Sequence, residues 1–284
     1  MHQSEKFTLT AENGEPTVVT RRDPDTAPRG AVLIAPAIAT KARFYDAFAQ
    51  WLVEQGYRTY MFDYQGYGES ARTPLKEVKA DFMTWTQDAK TVVDFVAEDA
   101  EGLPLTWIGH SLGTQVFAFT DHHKVDKAIF TCGGTGYWRL SDPPNLFITP
   151  LLWWVIAPVS VKLKGYFPGK KLKILGDIPG PVMTQWGKWC RLPGYMLDDM
   201  PEHRQTFANV KVPITTLTFT DDDVMSAKAS AHLESYYSGT EIRHLRLEPQ
   251  DLGEEKIGHM GLYYRGREKL WEKLFTEELV SKTD

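Results

Sequence analysis

The chain has 284 residues, 42% of them hydrophobic and 24% charged, with a formal net charge of -5. That balance fits a folded globular protein rather than a disordered or fibrous one, and the length allows one large α/β domain or two ordinary ones. With no basic run longer than Lys170-Lys171-Leu172-Lys173, the negative balance argues against a nucleic-acid partner.

The opening stretch, MHQSEKFTLTAENGEP, scatters its charges and lacks the apolar core of a secretory signal, so a cytoplasmic location is the default expectation. Cys132 and Cys190 are too few for a disulfide framework and read as buried thiols. Residues 6–10 and 17–21 are strand-like and flank the turn signal Asn13-Gly14, which predicts an antiparallel hairpin. Further strand-like runs follow at 31–35, 58–64, 105–108, 127–132 and 214–219. Helix-period runs at 44–55 and 80–97 separate the first three. This alternation implies a mostly parallel sheet with helices on both faces.

The alternation fails over 133–210, where Pro, Gly and Trp accumulate and the span is too long for an ordinary connection. Trp138, Trp153, Trp154, Trp186 and Trp189 require this segment to pack on something, as a lid over a site or as a small core of its own. Within it, residues 146–163 are apolar but carry Pro150, Pro158 and Lys162. The expectation is a segment too short and twice broken to span a membrane. Residues 146–161 suit a lid, a homodimer interface or an interfacial membrane contact.

Gly109-His110-Ser111-Leu112-Gly113 directly follows a strand-like run and precedes a helix-compatible one. In that context a GxSxG string is a nucleophile elbow, whose sharp turn lifts Ser111 clear of the sheet. A serine hydroxyl needs a base to take its proton and a carboxylate to orient that base. Asp221, Asp222 and Asp223 follow the strand at 214–219. Of the eight histidines, His259 alone sits in a Gly-flanked loop, Gly258-His259-Met260-Gly261, after a last strand-like run at 241–247. His122-His123 has no third ligand in view and points apart on a helix, so neither a metal nor a cofactor is predicted.

With these residues the sequence resembles the α/β-hydrolases, to which Asp63-Tyr64-Gln65-Gly66-Tyr67-Gly68-Glu69-Ser70 adds a loop similar to their D-x-R-G-x-G-x-S, with Gln65 in place of the usual arginine. More narrowly it resembles bacterial predicted α/β-hydrolases related to the serine aminopeptidase and monoacylglycerol lipase branch. The residues that carry this are Ala35-Pro36-Ala37, Tyr166-Phe167-Pro168-Gly169, Gln185-Trp186-Gly187-Lys188-Trp189-Cys190 and Phe219-Thr220-Asp221-Asp222, and the resemblance covers about residues 32–265.

The resemblance implies an α/β-hydrolase fold with a mostly parallel eight-stranded sheet, a core from 1–132 and 211–284, and a helical lid from 133–210. It implies a serine hydrolase acting on a small-molecule ester with an apolar acyl or aryl group. Ser111 would be the nucleophile, His259 the base and Asp222 the acid, with Asp223 as its substitute. The backbone N–H groups of Leu112 and Ala37 would form the oxyanion hole, although Ala35-Pro36 stands where many relatives have His-Gly. Ile38, His110, Trp138 and Trp186 are the candidates for substrate contact. An aminopeptidase or acyltransferase would use the same three residues, and a binding module without catalysis would keep the pocket alone.

Overall fold

The computed structural model of the chain describes residues 4–11 and 13–280. His2 and the outermost ends of the expected core segments lie outside them. The predicted hairpin is β1 (Ser4–Thr10) and β2 (Pro16–Arg22), with Gly14 at a positive φ in its turn. Then come β3 (Gly30–Ala35), β4 (Tyr57–Asp63), β5 (Leu105–His110) and β6 (Lys127–Thr131). A short antiparallel pair, β7 (Tyr166–Pro168) and β8 (Asp177–Pro179), stands apart from the main sheet. The main sheet is completed by β9 (Ile214–Phe219) and β10 (Ile242–Leu247). Its eight strands run in the order β1-β2-β4-β3-β5-β6-β9-β10. β2 is antiparallel to both neighbours and every other pair is parallel.

Successive residues of a strand face opposite sides. On β3, Ala31, Leu33 and Ala35 enter one buried cluster while Val32 and Ile34 enter another. The first cluster receives Trp85, Val92 and Val93 from helix α2 (Phe82–Asp99), which starts in a capping box formed by Asp81 and Thr84. The second receives Phe48 and Leu52 from helix α1 (Asp46–Glu54) and Trp271 from the helix Glu268–Phe275. Both faces of the sheet are therefore covered, as a buried parallel sheet requires.

The chain between β6 and β9 has no separate core. Leu152, Trp153, Phe167, Trp186 and Trp189 are buried in the same cluster as Trp85, and the Trp189 and Phe82 rings meet at 4.9 Å. The expectation that Pro150 and Pro158 break the apolar run is corrected, because residues Asn145–Lys164 form one continuous helix with a mean hydropathy of 1.7, long and apolar enough to cross a membrane. Between the prolines, Leu152–Ile156 adopt a π turn. Its wider spacing takes up the displacement that the Pro158 ring forces on the turn before it, while Pro150 sits near the start of the helix. Leu152, Trp153 and Ala157 are buried, whereas Phe147, Ile148, Leu151, Trp154, Val155, Val159 and Leu163 point outward, Phe147 and Leu163 being 76% exposed.

The loop after β4 shows what replaces the usual arginine. Gln65 donates its backbone N–H and its Nε2 to Asp88 at 2.8 and 2.6 Å, and Thr17 donates at 3.0 Å. All of these partners are neutral. Burial raises the Asp88 carboxyl, the three donors offset it only partly, and its pKa stands at about 6. The folded chain thus keeps this proton up to about pH 6, whereas the unfolded chain releases it near 3.8. Stability from this group should fall as pH rises between those values and stay level above them, a loss on the order of 3 kcal/mol. The stability difference between the native chain and Asp88→Asn, from urea unfolding at pH 4 and pH 7, measures it.

Candidate active site

The elbow is enforced by sterics. Ser111 has φ 51° and ψ -105°, between the end of β5 and the start of helix α3 (Leu112–Val116). Few residues other than glycine tolerate such a φ without support from their surroundings. A Cβ on Gly109 would come within 2.5 Å of the Gly113 carbonyl oxygen, and one on Gly113 within 2.4 Å of the Ala35 oxygen. Both flanking positions must therefore be glycine. As the first residue of α3, Leu112 has an N–H with no acceptor inside the helix.

The candidate acid and base leave the ends of β9 and β10. His259 Nδ1 lies 2.9 Å from Asp222 Oδ2 and 3.1 Å from Oδ1, with the Asp222 side chain 1% exposed. Asp222 Oδ1 also accepts the N–H groups of Val224 and Met225 at 2.8 and 2.9 Å. Burial alone would raise the Asp222 carboxyl; the adjacent imidazole and these two donors outweigh it and hold the carboxyl below its ordinary range. With Nδ1–H given to the carboxylate, His259 Nε2 is left as an acceptor. Asp223 is exposed. Asp221 has a role that nothing in the sequence signalled: its Oδ2 accepts the N–H groups of Ile257 and Gly258 at 2.8 and 3.0 Å, tying the histidine loop to the aspartate loop.

His110 is not a substrate contact. It is completely buried, with Nδ1 2.8 Å from Tyr45 Oη and Nε2 2.9 Å from the His259 carbonyl oxygen. Burial drives its pKa down to about 3, so the ring is neutral; it donates from Nε2 to that carbonyl and accepts the Tyr45 hydroxyl at Nδ1. Tyr45 Oη in turn accepts the Ala37 N–H at 2.9 Å. This corrects the expectation for Ala37, whose N–H already has a partner. The N–H of Ile38, next along the loop, has none among the described residues. A buried polar chain thus joins the loop after β3, the residue before Ser111 and the backbone of His259.

Ser111 and His259 line one cavity of about 410 Å³, together with Ile38, Trp153, Trp186 and Met260. The Ser111 hydroxyl makes no hydrogen bond among the described residues. A second, more open cleft of about 960 Å³ shares Ile38, His259 and Met260 and continues outward past Lys41, Arg43, Lys256 and Arg267. Trp138 lines neither space. Its ring meets Trp154 edge-on at 5.8 Å and lies under Arg139, which corrects its placement as a substrate contact. Trp153, which takes the place expected for Trp138, packs edge-on against Trp186 at 4.9 Å.

Against known proteins, a family model described as serine aminopeptidase, S33, matches residues 26–245. The chain belongs to this family. It is 36% identical over 114 residues to a monoacylglycerol lipase of Mycolicibacterium smegmatis, a match covering 39% of each chain. It is 31% identical over 186 residues to the uncharacterized protein YfhR of Salmonella typhimurium, covering 64% of this chain and 51% of the other. The matches thus span about half or less of these relatives' length. Two solved structures share the fold. A carboxyl esterase from Bacillus coagulans superposes with a TM-score of 0.61 at 14% identity, covering 87% of this chain and 91% of the other. A soluble variant of the Saccharomyces cerevisiae monoglyceride lipase gives 0.62 at 16% identity, covering 96% and 94%.

In this S33 family member the Asp222–His259 pair has a third close neighbour, Cys132, with donor atoms of all three within 4.8 Å. Burial, and then the charge of Asp222, push the Cys132 thiol well above its ordinary pKa. Its Sγ approaches the Gly258 carbonyl oxygen at 3.9 Å, next to the histidine loop.

Proposed function

We propose that the chain is a serine hydrolase that cleaves a carboxylic ester with an apolar acyl or aryl group. The observation that carries this reading is the pairing of Ser111, held on a strained elbow, with an Asp222-oriented His259 whose ring borders the same cavity. Ser111 Oγ attacks the carbonyl as His259 Nε2 takes its proton. The tetrahedral oxyanion is held by the Leu112 N–H and, since Tyr45 occupies Ala37, by the N–H of Ile38. The alcohol leaves with the proton from His259, and water repeats the steps on the acyl-enzyme. The segment at 133–210 acts as the lid, supplying Trp153 and Trp186 to the acyl side, while the open cleft takes the alcohol.

An aminopeptidase must hold a free α-amine with acidic groups. Among the described residues the cavity's one acidic lining residue is Asp223, which shares it with Lys173. The chain should therefore turn over p-nitrophenyl esters and leave proline nitroanilide intact. Faster turnover of the nitroanilide would replace the esterase reading with the peptidase one.

Tyr45→Phe removes the partner of the Ala37 N–H and of His110 Nδ1. The expected result is a stability loss of about 1–3 kcal/mol. It should also lower kcat roughly 10- to 100-fold, with KM little changed, through misplacement of the catalytic loops. Urea midpoints and steady-state ester kinetics read both effects. A higher kcat would mean instead that the freed Ala37 N–H is the better oxyanion donor.

A further inference from the structure

We infer that the outward face of the helix Asn145–Lys164 docks on an anionic phospholipid surface, with the helix lying in the plane of the headgroups. Among the described residues every exposed large apolar side chain except Tyr264 belongs to this region: seven on the helix, then Leu172 and Ile174 just after it, and Val224 beside Asp222. An apolar face of that extent, left open to water, marks an interaction surface. Asn145 Nδ2 donates to the Asp223 carbonyl, so the helix and the aspartate loop form one continuous surface.

Charge selects the occupant. From Pro143 to Gly176 there is no acidic residue, yet there are five lysines, Lys162, Lys164, Lys170, Lys171 and Lys173, in a chain of net charge -5. All five are exposed. The lysines that form ion pairs among the described residues are Lys6, Lys76, Lys90, Lys124, Lys127 and Lys188, and none of the five is among them. A second copy on a two-fold axis would set this cationic surface against itself. An anionic bilayer takes up both features at once, the apolar side chains at the acyl boundary and the ammonium groups among the phosphates. Burial of Leu152, Trp153 and Ala157 in the protein core keeps the helix on the fold, which favours lying at the interface over crossing it.

The cavity opens on the same side. Ile148, Ile174 and Val224 are exposed on this face and also line the Ser111 cavity. A docked chain would take an acyl ester directly from the lipid, a clause that rests on the hydrolase reading; the docking itself does not.

Co-sedimentation of the chain, carried on Ser111→Ala to keep the vesicles intact, with phosphatidylcholine vesicles with and without phosphatidylglycerol tests the inference. Binding should be at least ~10-fold tighter with phosphatidylglycerol and weaken ~10-fold or more in Lys162→Glu/Lys164→Glu and in Phe147→Asn/Leu163→Asn. On the native background these pairs should leave hydrolysis of a soluble short-chain ester unchanged. Equal binding to both vesicles, binding to neither, or a lipid-free dimer abolished by Phe147→Asn/Leu163→Asn would overturn it. Vesicle binding without any ester hydrolysis would instead leave the docking standing and remove the hydrolase reading.

Discussion

Ser111→Ala is expected to abolish labelling by a fluorophosphonate probe and to lower kcat for ester hydrolysis by about 10⁴- to 10⁶-fold, with little change in stability. The two halves of this expectation come from one observation. The Ser111 side chain is nearly buried, yet its hydroxyl has no hydrogen-bond partner among the described residues, so its removal leaves no donor or acceptor orphaned. Alanine meets the same φ of 51° and brings no new strain. A side chain that costs the fold nothing when deleted and the reaction nearly everything is what the proposed nucleophile role requires. Probe labelling or turnover that persists in a well-folded Ser111→Ala chain would assign the chemistry to another residue.

Asp222→Asn should cost about 10⁴-fold in kcat at neutral pH, for a reason of geometry more than of charge. Oδ1 accepts two backbone N–H groups, from Val224 and Met225, while Oδ2 faces His259 Nδ1. An asparagine must keep its carbonyl oxygen toward the two backbone donors, and so turns its NH₂ toward the imidazole. Nδ1 then becomes an acceptor and the proton moves to Nε2, leaving His259 no lone pair with which to take the proton of Ser111. Steady-state kinetics together with the ring-nitrogen shifts of His259 measure both effects. Near-native kcat with the proton still on Nδ1 would show that another group sets the tautomer.

Much of the fold was legible because its signals are local. The Asn13-Gly14 turn, the runs that became β3, β4, β5, β6 and β9, and the strand, elbow and helix around Ser111 each lie within a few residues, and the two glycines have a steric reason that any sequence can reveal. What escaped depends on contacts between distant residues. Tyr45 acts through Ala37 and through His110, which is 65 positions away, and no spacing in the sequence announces that meeting. The resemblance pointed to Asp222 for the imidazole, but nothing in the row of aspartates announced that Asp221 binds the histidine loop 36 positions on. Among five tryptophans in one segment, composition cannot say that Trp153 faces the cavity and Trp138 faces Trp154. The helix Asn145–Lys164 escaped because proline rules describe an isolated turn, and a π turn between two prolines lies outside them.

The loops that bring Ile38, Ser111, Asp222 and His259 together follow β3, β5, β9 and β10, and the parallel pairings β3–β5 and β6–β9 join strands with long stretches of chain between them. Contacts of that kind close large loops before they return any stabilisation, which makes them slow and late in folding. In a nascent or partly unfolded chain, where those pairings are not yet made, the loops that carry Ile38, Ser111, Asp222 and His259 are still dispersed. On the serine-hydrolase reading, such a chain offers an ester no assembled site at Ser111, so turnover should appear only once the sheet is complete.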